Sequence, residues 1–327
     1  MNRRVLVLAS ILCLPAVAAP AQEKYPSRPI KVVVPYAPGG AVDITARIVT
    51  EEMRAALGQP FVIENKPGAF GILGLEDMAR AKPDGYTLLF GNNNVNVITP
   101  ILYPAKMRID VAKDVVTVAR VADLPGFLIA TRKNFAPASL AEVIAYARQN
   151  PGKVRYSSVG IGSFPHYDME ILARRAGLDL VHIPNKAGAA GMLNDLVSGD
   201  AQIAFLNAAT PAAMVRAGQL RPLAVVTEER MSDYPDVPTL AELGFAGVGT
   251  VQWLAIFAPA GVPSSVIDTL HKAAVDAVAS AAVQEKFKAQ SLRAMPSASP
   301  AQAAAFVQQE FALWRKITAE VKIDLPD

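Results

Sequence analysis

Short apolar strands alternate with amphipathic helices along most of this chain, and this alternation limits the possible fold more than any other feature. Ile30–Pro35 is a continuous, mostly β-branched run, which is typical of a strand buried on both faces. A helix is predicted over Val42–Leu57, ended by Gly58, and a second strand over Phe61–Glu64. Because parallel strands need a crossover between them, this spacing predicts an α/β fold with a mostly parallel sheet covered by helices.

A second block of the chain repeats this alternation. Its predicted strands are Val154–Ser158, Leu178–Ile183, Ala201–Leu206 and Arg221–Val226. The helices predicted from there to the end of the chain run from Ser163 to Ala176, Gly188–Ser198, Thr210–Ala217, Ser264–Ser280 and Pro300–Lys322. Two such blocks predict two doubly wound lobes.

The composition excludes several classes of protein. Of the 327 residues 52% are apolar and 19% are charged, which is enough apolar surface for a packed core and argues against disorder. The formal charge is only +3, so the chain lacks the electrostatic footprint of a nucleic-acid-binding protein. Its single cysteine, Cys13, excludes a disulfide within one chain.

The first 21 residues have the layout of a secretory signal peptide. Arg3 and Arg4 precede the apolar run Val5–Val17, and small residues follow it. Cleavage is predicted after Ala18 or after Ala21, since both positions place small residues at −3 and −1. A membrane anchor is the alternative, but the apolar run is shorter than the ~20 residues that span a bilayer. We therefore expect an exported, soluble mature protein.

No sequence motif for catalysis, metal binding or cofactor binding is present. The chain has three histidines and none of the HExxH, P-loop, GxSxG or GxGxxG patterns. A triad of Ser163, His166 and Asp168 is conceivable, but these residues are too close together on one helical turn to converge. His271 falls on a helix that we predict to be exposed and needs no role. No catalytic residue, metal ligand or cofactor is assigned.

Loops rich in glycine and asparagine lie between predicted strands and helices. They are Pro38–Asp43, Pro67–Gly71, Gly91–Asn96 and Ser157–His166. Ligands of open parallel sheets bind beyond the carboxyl ends of the strands, where these loops lie. Each loop also precedes a helix, whose first backbone N–H groups attract anions. The loops therefore predict a site for a small anionic ligand.

Short motifs along the mature chain resemble the solute-binding proteins of tripartite tricarboxylate transporters, the Bug family. The quoted stretches are Tyr25–Ile30 (YPSRPI), Val34–Gly40 (VPYAPGG) with Asp43 and Arg47, Glu64–Ala69 (ENKPGA), Pro83–Leu89 (PDGYTLL), His182–Pro184 (HIP), Leu220–Val225 (LRPLAV) and Pro235–Thr239 (PDVPT). The resemblance covers essentially the whole mature chain in order. Together the motifs are specific, although no single one would be.

The resemblance implies a type II periplasmic binding-protein fold, with two α/β lobes joined by two crossover strands. After a signal peptide of residues 1–21, lobe 1 would be residues 22–122 plus 255–327, and lobe 2 residues 123–254. The crossovers would lie near Val116–Ala130 and Val251–Ala258. Such a protein captures a small carboxylate in the periplasm and delivers it to membrane permease subunits of the transporter. It would be a monomer, neither an enzyme nor a nucleic-acid binder. A sensor subunit for a signalling partner or a secreted α/β hydrolase are the alternatives.

The predicted ligand contacts come from both lobes. They are Tyr36, Pro38, Gly39, Gly40, Asp43, Ala69, Phe70, Gly91, Asn92, Asn93, Ser158, Gly160, Gly162, Ser163, His166, Asn185, Lys186 and Asn207. Asp43 could instead be structural, since at the third helical position its side chain can reach back to the N-cap amide of Gly40. His166 could donate to a carboxylate or simply pack. Lys186 is the cation expected nearest the site.

Four stretches, six residues in all, depart from the pattern of the family. Phe70 stands where glycine is expected, Asn92–Asn94 where threonine and serine are common, Asn96 where histidine is frequent and Asn185 where an aromatic residue is usual. Phe70 would suit an aromatic carboxylate, whereas the additional amides would suit a hydroxylated or amino-substituted one. The sequence leaves both ligand classes open.

Overall fold

The structure, a computed structural model, describes residues 25–185, 187–208 and 210–323, without the side chains of 127–131. The predicted signal peptide and Lys186 lie outside the described residues. One sheet holds β1 (Ile30–Val34), β2 (Phe61–Asn65), β3 (Thr87–Asn92), β4 (Val115–Leu124), β10 (Gln252–Pro259) and β11 (Arg293–Ala294), in the spatial order β11-β4-β10-β3-β1-β2. A second sheet holds β5 (Gly126–Arg132), β6 (Val154–Ser158), β7 (Leu180–Pro184), β8 (Ile203–Asn207) and β9 (Leu220–Val225), in the order β7-β6-β8-β5-β9.

Helices cover both sheets. They are α1 (Ala41–Leu57), α2 (Ile72–Ala79), α3 (Thr99–Leu102), α4 (Val111–Asp114), α5 (Leu140–Gln149), α6 (Phe164–Ala176), α7 (Gly188–Ser198), α8 (Ala212–Arg216), α9 (Ser264–Ala279), α10 (Ala281–Ala289) and α11 (Pro300–Glu320). One apolar cluster joins the first sheet to α1 and α9, and another joins its opposite face to α2 and α11. None of the described helices is long and apolar enough to cross a membrane.

The predicted α/β class with two sheets is confirmed, but the sheets are mixed rather than mostly parallel. β1 pairs in parallel with β2 and β3, and β6 pairs in parallel with β7 and β8. The strands that connect the sheets, β4, β5 and β10, form antiparallel pairs. Each of these strands lies inside its sheet, with a neighbouring strand on either side.

The chain passes between the sheets at two places. β4 ends at Leu124 and β5 begins at Gly126, so Pro125 alone separates them. A Cβ at Gly126 would lie 2.8 Å from the carbonyl oxygen of Leu206, which explains the glycine at this close approach. The return passage follows β9 and ends in β10. The exact lobe boundaries, 122/123 and 254/255, stay predictions.

One expectation about the helices was wrong, and one helical turn was not expected. His271 on α9 is buried, and its Nε2 lies 3.0 Å from the carbonyl oxygen of Ser297, so the helix face that carries it packs inside the protein. After β3 the chain forms a π-helical turn, Asn94–Ile98, that sequence periodicity did not indicate. Such wide turns are often found at functional sites.

Candidate functional site

The exposed turn between β1 and α1 lies at the carboxyl edge of the first sheet and leads into the N-terminus of α1. Gly40 is the N-cap of α1, and no side chain caps it. Gly39 adopts a φ of +83°, which favours glycine, and Pro38, Gly39 and Gly40 are all exposed. A helix N-terminus of this kind is a ready site for an anion.

The Asp43 side chain stabilises this turn through hydrogen bonds. Its carboxylate is 2% exposed and accepts hydrogen bonds from the Gly39 amide (2.9 Å), from Arg47 (2.9 Å) and from Asn65 Nδ2 (2.9 Å). Burial alone would raise the pKa of Asp43, but these hydrogen bonds outweigh it and hold the pKa below its usual value. The predicted reach to the Gly40 amide is wrong by one residue, since the bond goes to Gly39. The geometry gives Asp43 a structural role.

Tyr36 and Asn92 join the ends of β1 and β3. The Tyr36 hydroxyl donates to Asn92 Oδ1 (2.8 Å), which also accepts from the Val95 amide (3.1 Å). The Tyr36 carbonyl accepts from Asn65 Nδ2 (3.0 Å), and Asn65 in turn contacts Asp43. Burial raises the pKa of Tyr36, so the phenol stays protonated. These predicted residues therefore form one hydrogen-bonded network with the α1 turn.

The asparagine run that follows β3 is tightly packed. Asn93 Oδ1 accepts from the Asn94 amide (3.1 Å), which holds the start of the π-helical turn. A Cβ at Gly91 would lie 2.0 Å from Asn96 Oδ1, so this glycine makes room for the Asn96 side chain. Asn93 and Asn96 are completely buried. Asn96 was recognised in the sequence as unusual but not as a ligand contact.

The loop after β2 is strained and carries an exposed aromatic ring. Ala69 and Phe70 adopt φ of +45° and +57°, which non-glycine residues rarely do. Phe70 is 43% exposed and stacks on Tyr103 with ring centroids 4.8 Å apart and an interplanar angle of 8°. The Tyr103 hydroxyl in turn donates to the carbonyl oxygen of Ile161 (3.4 Å), in the loop after β6. This contact brings the loops of the two sheets together, and nothing in the sequence around Tyr103 indicated it.

The loop after β6 uses most of its polar groups internally. Ser158 Oγ accepts from the Gly160 amide (3.1 Å) and contacts His182 Nε2 (2.7 Å). The Ser163 amide and hydroxyl both donate to the carbonyl oxygen of Gly160, at 3.2 and 2.7 Å. The Gly162 amide donates to His166 Nδ1 (3.1 Å). The turn before α6 thus offers fewer free amides to an anion than the sequence predicts.

His166 is part of a buried stack of rings. Its ring centroid lies 3.8 Å from that of His182, and His182 stacks on Tyr156 at 4.8 Å. Burial, together with the neighbouring His182, lowers the pKa of His166 to about 3, and burial lowers that of His182 to about 4. Both rings are therefore neutral near pH 7. Because His166 Nδ1 accepts a hydrogen bond, its proton lies on Nε2, which agrees with the predicted donor role.

The remaining predicted residues of the second sheet make local contacts. Asn185 donates through Nδ2 to Asp195 (2.8 Å) and accepts at Oδ1 from the Ala187 amide (2.9 Å). Asn207 Oδ1 accepts from the amide (3.0 Å) and the hydroxyl (2.9 Å) of Thr210. Both asparagines stabilise the turns that follow their strands, so ligand binding is not needed to explain them.

Ser163, His166 and Asp168 do not form a triad. Ser163 and His166 bond within their loop, as above, whereas Asp168 accepts from the amide (2.8 Å) and hydroxyl (2.7 Å) of Thr250. Among the described residues, no three His, Cys, Asp or Glu side chains lie close enough together to hold a metal ion. None of the predicted contacts within the described ranges is a lysine or arginine.

Comparisons with known proteins agree on one family. Residues 45–323 match the model of the tripartite tricarboxylate transporter family receptor. BugT of Bordetella pertussis is 32% identical over 98% of this chain and 98% of its own. The structure of R. palustris Rpa4515 with adipate is similar, with a TM-score of 0.84 and 30% identity over 91% of this chain and 99% of that one. MatC from Rhodopseudomonas palustris with bound malate has a TM-score of 0.79 and 31% identity over 90% and 99%.

Proposed function

The chain belongs to the receptor family of tripartite tricarboxylate transporters, and from this premise we propose that it captures a small carboxylate between its two lobes. It would then deliver the ligand to the membrane permease subunits of such a transporter. Adipate and malate in the structures of two relatives support a carboxylate as the ligand class.

The uncapped N-terminus of α1 is the observation that carries this proposal. No side chain caps the backbone amides of Gly40 and the first turn of α1, whereas the Gly39 amide donates to Asp43, whose charge is balanced by Arg47 and which also accepts from Asn65. A carboxylate placed above the turn would receive charge-assisted hydrogen bonds, worth about 1.5–3 kcal/mol each, without a lysine or arginine partner. The Tyr103–Ile161 hydrogen bond joins the two sheets on the ligand-facing side that we propose.

Trapping of the ligand requires both lobes. A small carboxylate is desolvated only when a second surface covers it, so closure of lobe 2 (residues 123–254) over lobe 1 (residues 22–122 plus 255–327) completes the site. His166, with its proton on Nε2, is the donor that lobe 2 offers. We assign no catalytic role to this cleft, and the monomer is the working unit.

Export precedes this function. The predicted signal peptide, residues 1–21, would direct the chain to the periplasm and be removed after Ala18 or Ala21. The receptor relatives are periplasmic proteins, which supports this localisation.

The substitution Gly40→Val, which adds a side chain at the start of α1, tests the proposed anion site. Gly40 has a φ of −77°, and an added Cβ would have only the Ala37 carbonyl oxygen within 4 Å, at 3.8 Å, so the fold accepts a side chain here. The measurement is calorimetric titration of a panel of mono-, di- and tricarboxylates into the mature protein and into Gly40→Val. We expect the variant to fold and to lose the binding of every acid that the native protein binds.

A matched control separates loss of the site from loss of helix stability. Ser139 is the N-cap of α5, with its hydroxyl accepting from the Glu142 amide at 3.2 Å, and Ser139→Val perturbs a helix start remote from the site. This control should lose about 1 kcal/mol of stability and keep its affinity. Unchanged affinity in Gly40→Val, or a ligand recovered chemically altered, would contradict the proposal.

A further inference from the structure

Polar atoms without a partner are concentrated in the asparagine run that follows β3. Among the described residues, the buried side-chain atoms of this run that make no hydrogen bond are Asn93 Nδ2, Asn94 Oδ1, Asn96 Nδ2 and Asn96 Oδ1. Asn93 and Asn96 have no exposed surface at all. Buried polar groups in folded proteins are nearly always paired, so such a group of unpaired atoms indicates a partner that the chain itself does not supply.

Hydrogen bonds within and around the π-helical turn pair only some of the asparagine side-chain atoms. Asn92 Oδ1 is used by Tyr36 and Val95, and Asn93 Oδ1 by the Asn94 amide. The Asn94 side chain also hydrogen-bonds to the Tyr36 phenol. What remains is the NH₂ group of Asn93, the oxygen of Asn94 and both ends of Asn96. These four atoms therefore belong to one turn and have no hydrogen-bond partner among the described residues.

The asparagine run is linked by hydrogen bonds to the turn before α1. Through Tyr36, Asn65 and Asp43 they belong to the hydrogen-bonded network that holds the Gly39 amide. The apolar cluster around Val95 and Val97, within the same turn, also contains Tyr167 of α6 from the other sheet. The run is therefore connected both to the turn proposed to bind the anion and to the apolar cluster that α6 of the other sheet shares.

The unpaired set contains acceptors as well as donors. A carboxylate only accepts hydrogen bonds, so it pairs with the NH₂ groups of Asn93 and Asn96 but leaves the oxygens of Asn94 and Asn96 unpaired. Rotation of the Asn96 amide exchanges its ends but keeps one donor and one acceptor. A hydroxyl or an ammonium group supplies the donor that these oxygens lack.

We propose, resting on the proposed function, that the ligand is a carboxylate that also carries a hydroxyl or amino group. Asn93, Asn94 and Asn96 would recognise this ligand through hydrogen bonds. The aromatic alternative has less support, because the Phe70 ring already stacks on Tyr103. The asparagine oxygens, by contrast, have no partner within the described chain. The polar substituent, rather than an apolar wall, sets the specificity of this receptor.

Pairs of acids that differ by one substituent test the inference. The probes are succinate against malate and aspartate, and glutarate against 2-hydroxyglutarate and glutamate, titrated calorimetrically into the mature protein. We expect a substituted acid to bind at least tenfold more tightly than its unsubstituted counterpart. The variant Asn96→Leu lacks both the donor and the acceptor of this side chain. In it, the ratio of the affinity for the substituted acid to that for the unsubstituted acid should fall to about threefold or less. Gln149→Leu, which replaces an exposed amide on α5, should keep it.

The outcomes separate this inference from the proposed function. If unsubstituted acids bind as tightly as every substituted counterpart, the receptor function stands and the inference is overturned. If no carboxylate binds, the proposed function fails and the inference with it. Should Asn96→Leu not fold, Asn94→Ala removes one unpaired oxygen at a partly exposed position and must also reduce the ratio. A ratio unchanged in both folded variants would overturn the assignment to these residues.

Discussion

Replacement of Asp168 by asparagine should change the pH dependence of stability in a direction that the structure dictates. Asp168 lies on α6 and is 2% exposed, and both carboxylate oxygens accept from Thr250 in the segment before β10. Burial raises its pKa to about 7, although the two hydrogen bonds from Thr250 oppose the rise. The carboxyl group therefore holds its proton in the folded protein at pH values where the unfolded chain has lost it.

The sign and size of the effect follow by linkage. With a pKa of about 3.9 in the unfolded chain, Asp168 contributes full stability below about pH 4 and loses it as the pH rises through about 7. A difference of about three pKa units between the folded and unfolded states, at ~1.4 kcal/mol each, lowers the free energy of unfolding by about 4 kcal/mol. The replacement Asp168→Asn removes the titration but can keep both contacts, because an amide oxygen accepts from the Thr250 amide and an amide nitrogen donates to the Thr250 hydroxyl.

The assay is urea unfolding of the native protein and Asp168→Asn between pH 4 and pH 8. The free energies of unfolding should be similar at pH 4, and the variant should gain about 2–4 kcal/mol on the native protein by pH 8. His166 and His182, whose pKa values are lowered to about 3 and 4, stabilise the fold above pH 6.5 and lose this effect as the pH falls, but they are present in both proteins and cancel. The exposed Asp236→Asn is the control. A difference between native and variant that does not change with pH would refute the reasoning.

Three further predictions concern Asp43, Tyr103 and export of the chain. Asp43→Asn should lower the free energy of unfolding by about 1–2 kcal/mol at pH 7; because the pKa of Asp43 is lowered, the deficit should shrink as the pH falls below about 4, and urea unfolding at both pH values measures it. Tyr103→Phe keeps the ring stack but removes the bond to Ile161, so calorimetry should show a ligand affinity about two- to tenfold weaker at an unchanged melting temperature; no change would mean that this contact does not support closure. N-terminal sequencing of periplasmic protein should begin at Ala19 or Gln22, whereas an intact Met1 in the membrane fraction would contradict export.

The fold could be predicted, and a place for the site proposed, because both depend on local information. Periods of apolar residues indicate strands and helices, and a glycine-rich strand–helix turn such as Gly39–Gly40 marks an anion-binding helix start wherever the rest of the chain lies. The motifs shared with the family are likewise contiguous stretches of sequence. Residues that contact neighbours in sequence, such as Asp43 and Gly39, were therefore assigned almost correctly.

Contacts between residues far apart in the chain determine the hydrogen-bond partners and pKa shifts that local sequence patterns could not predict. The partner of Tyr103 is 58 residues away in the chain and that of Asp168 is 82 residues away, so neither pair is visible as a spacing. The raised pKa of Asp168 and the lowered pKa of His166 arise from burial, which only packing creates. For the same reason the sequence supplied the asparagines after β3, but only the tertiary structure determined which of their amide groups are paired among the described residues and which are not.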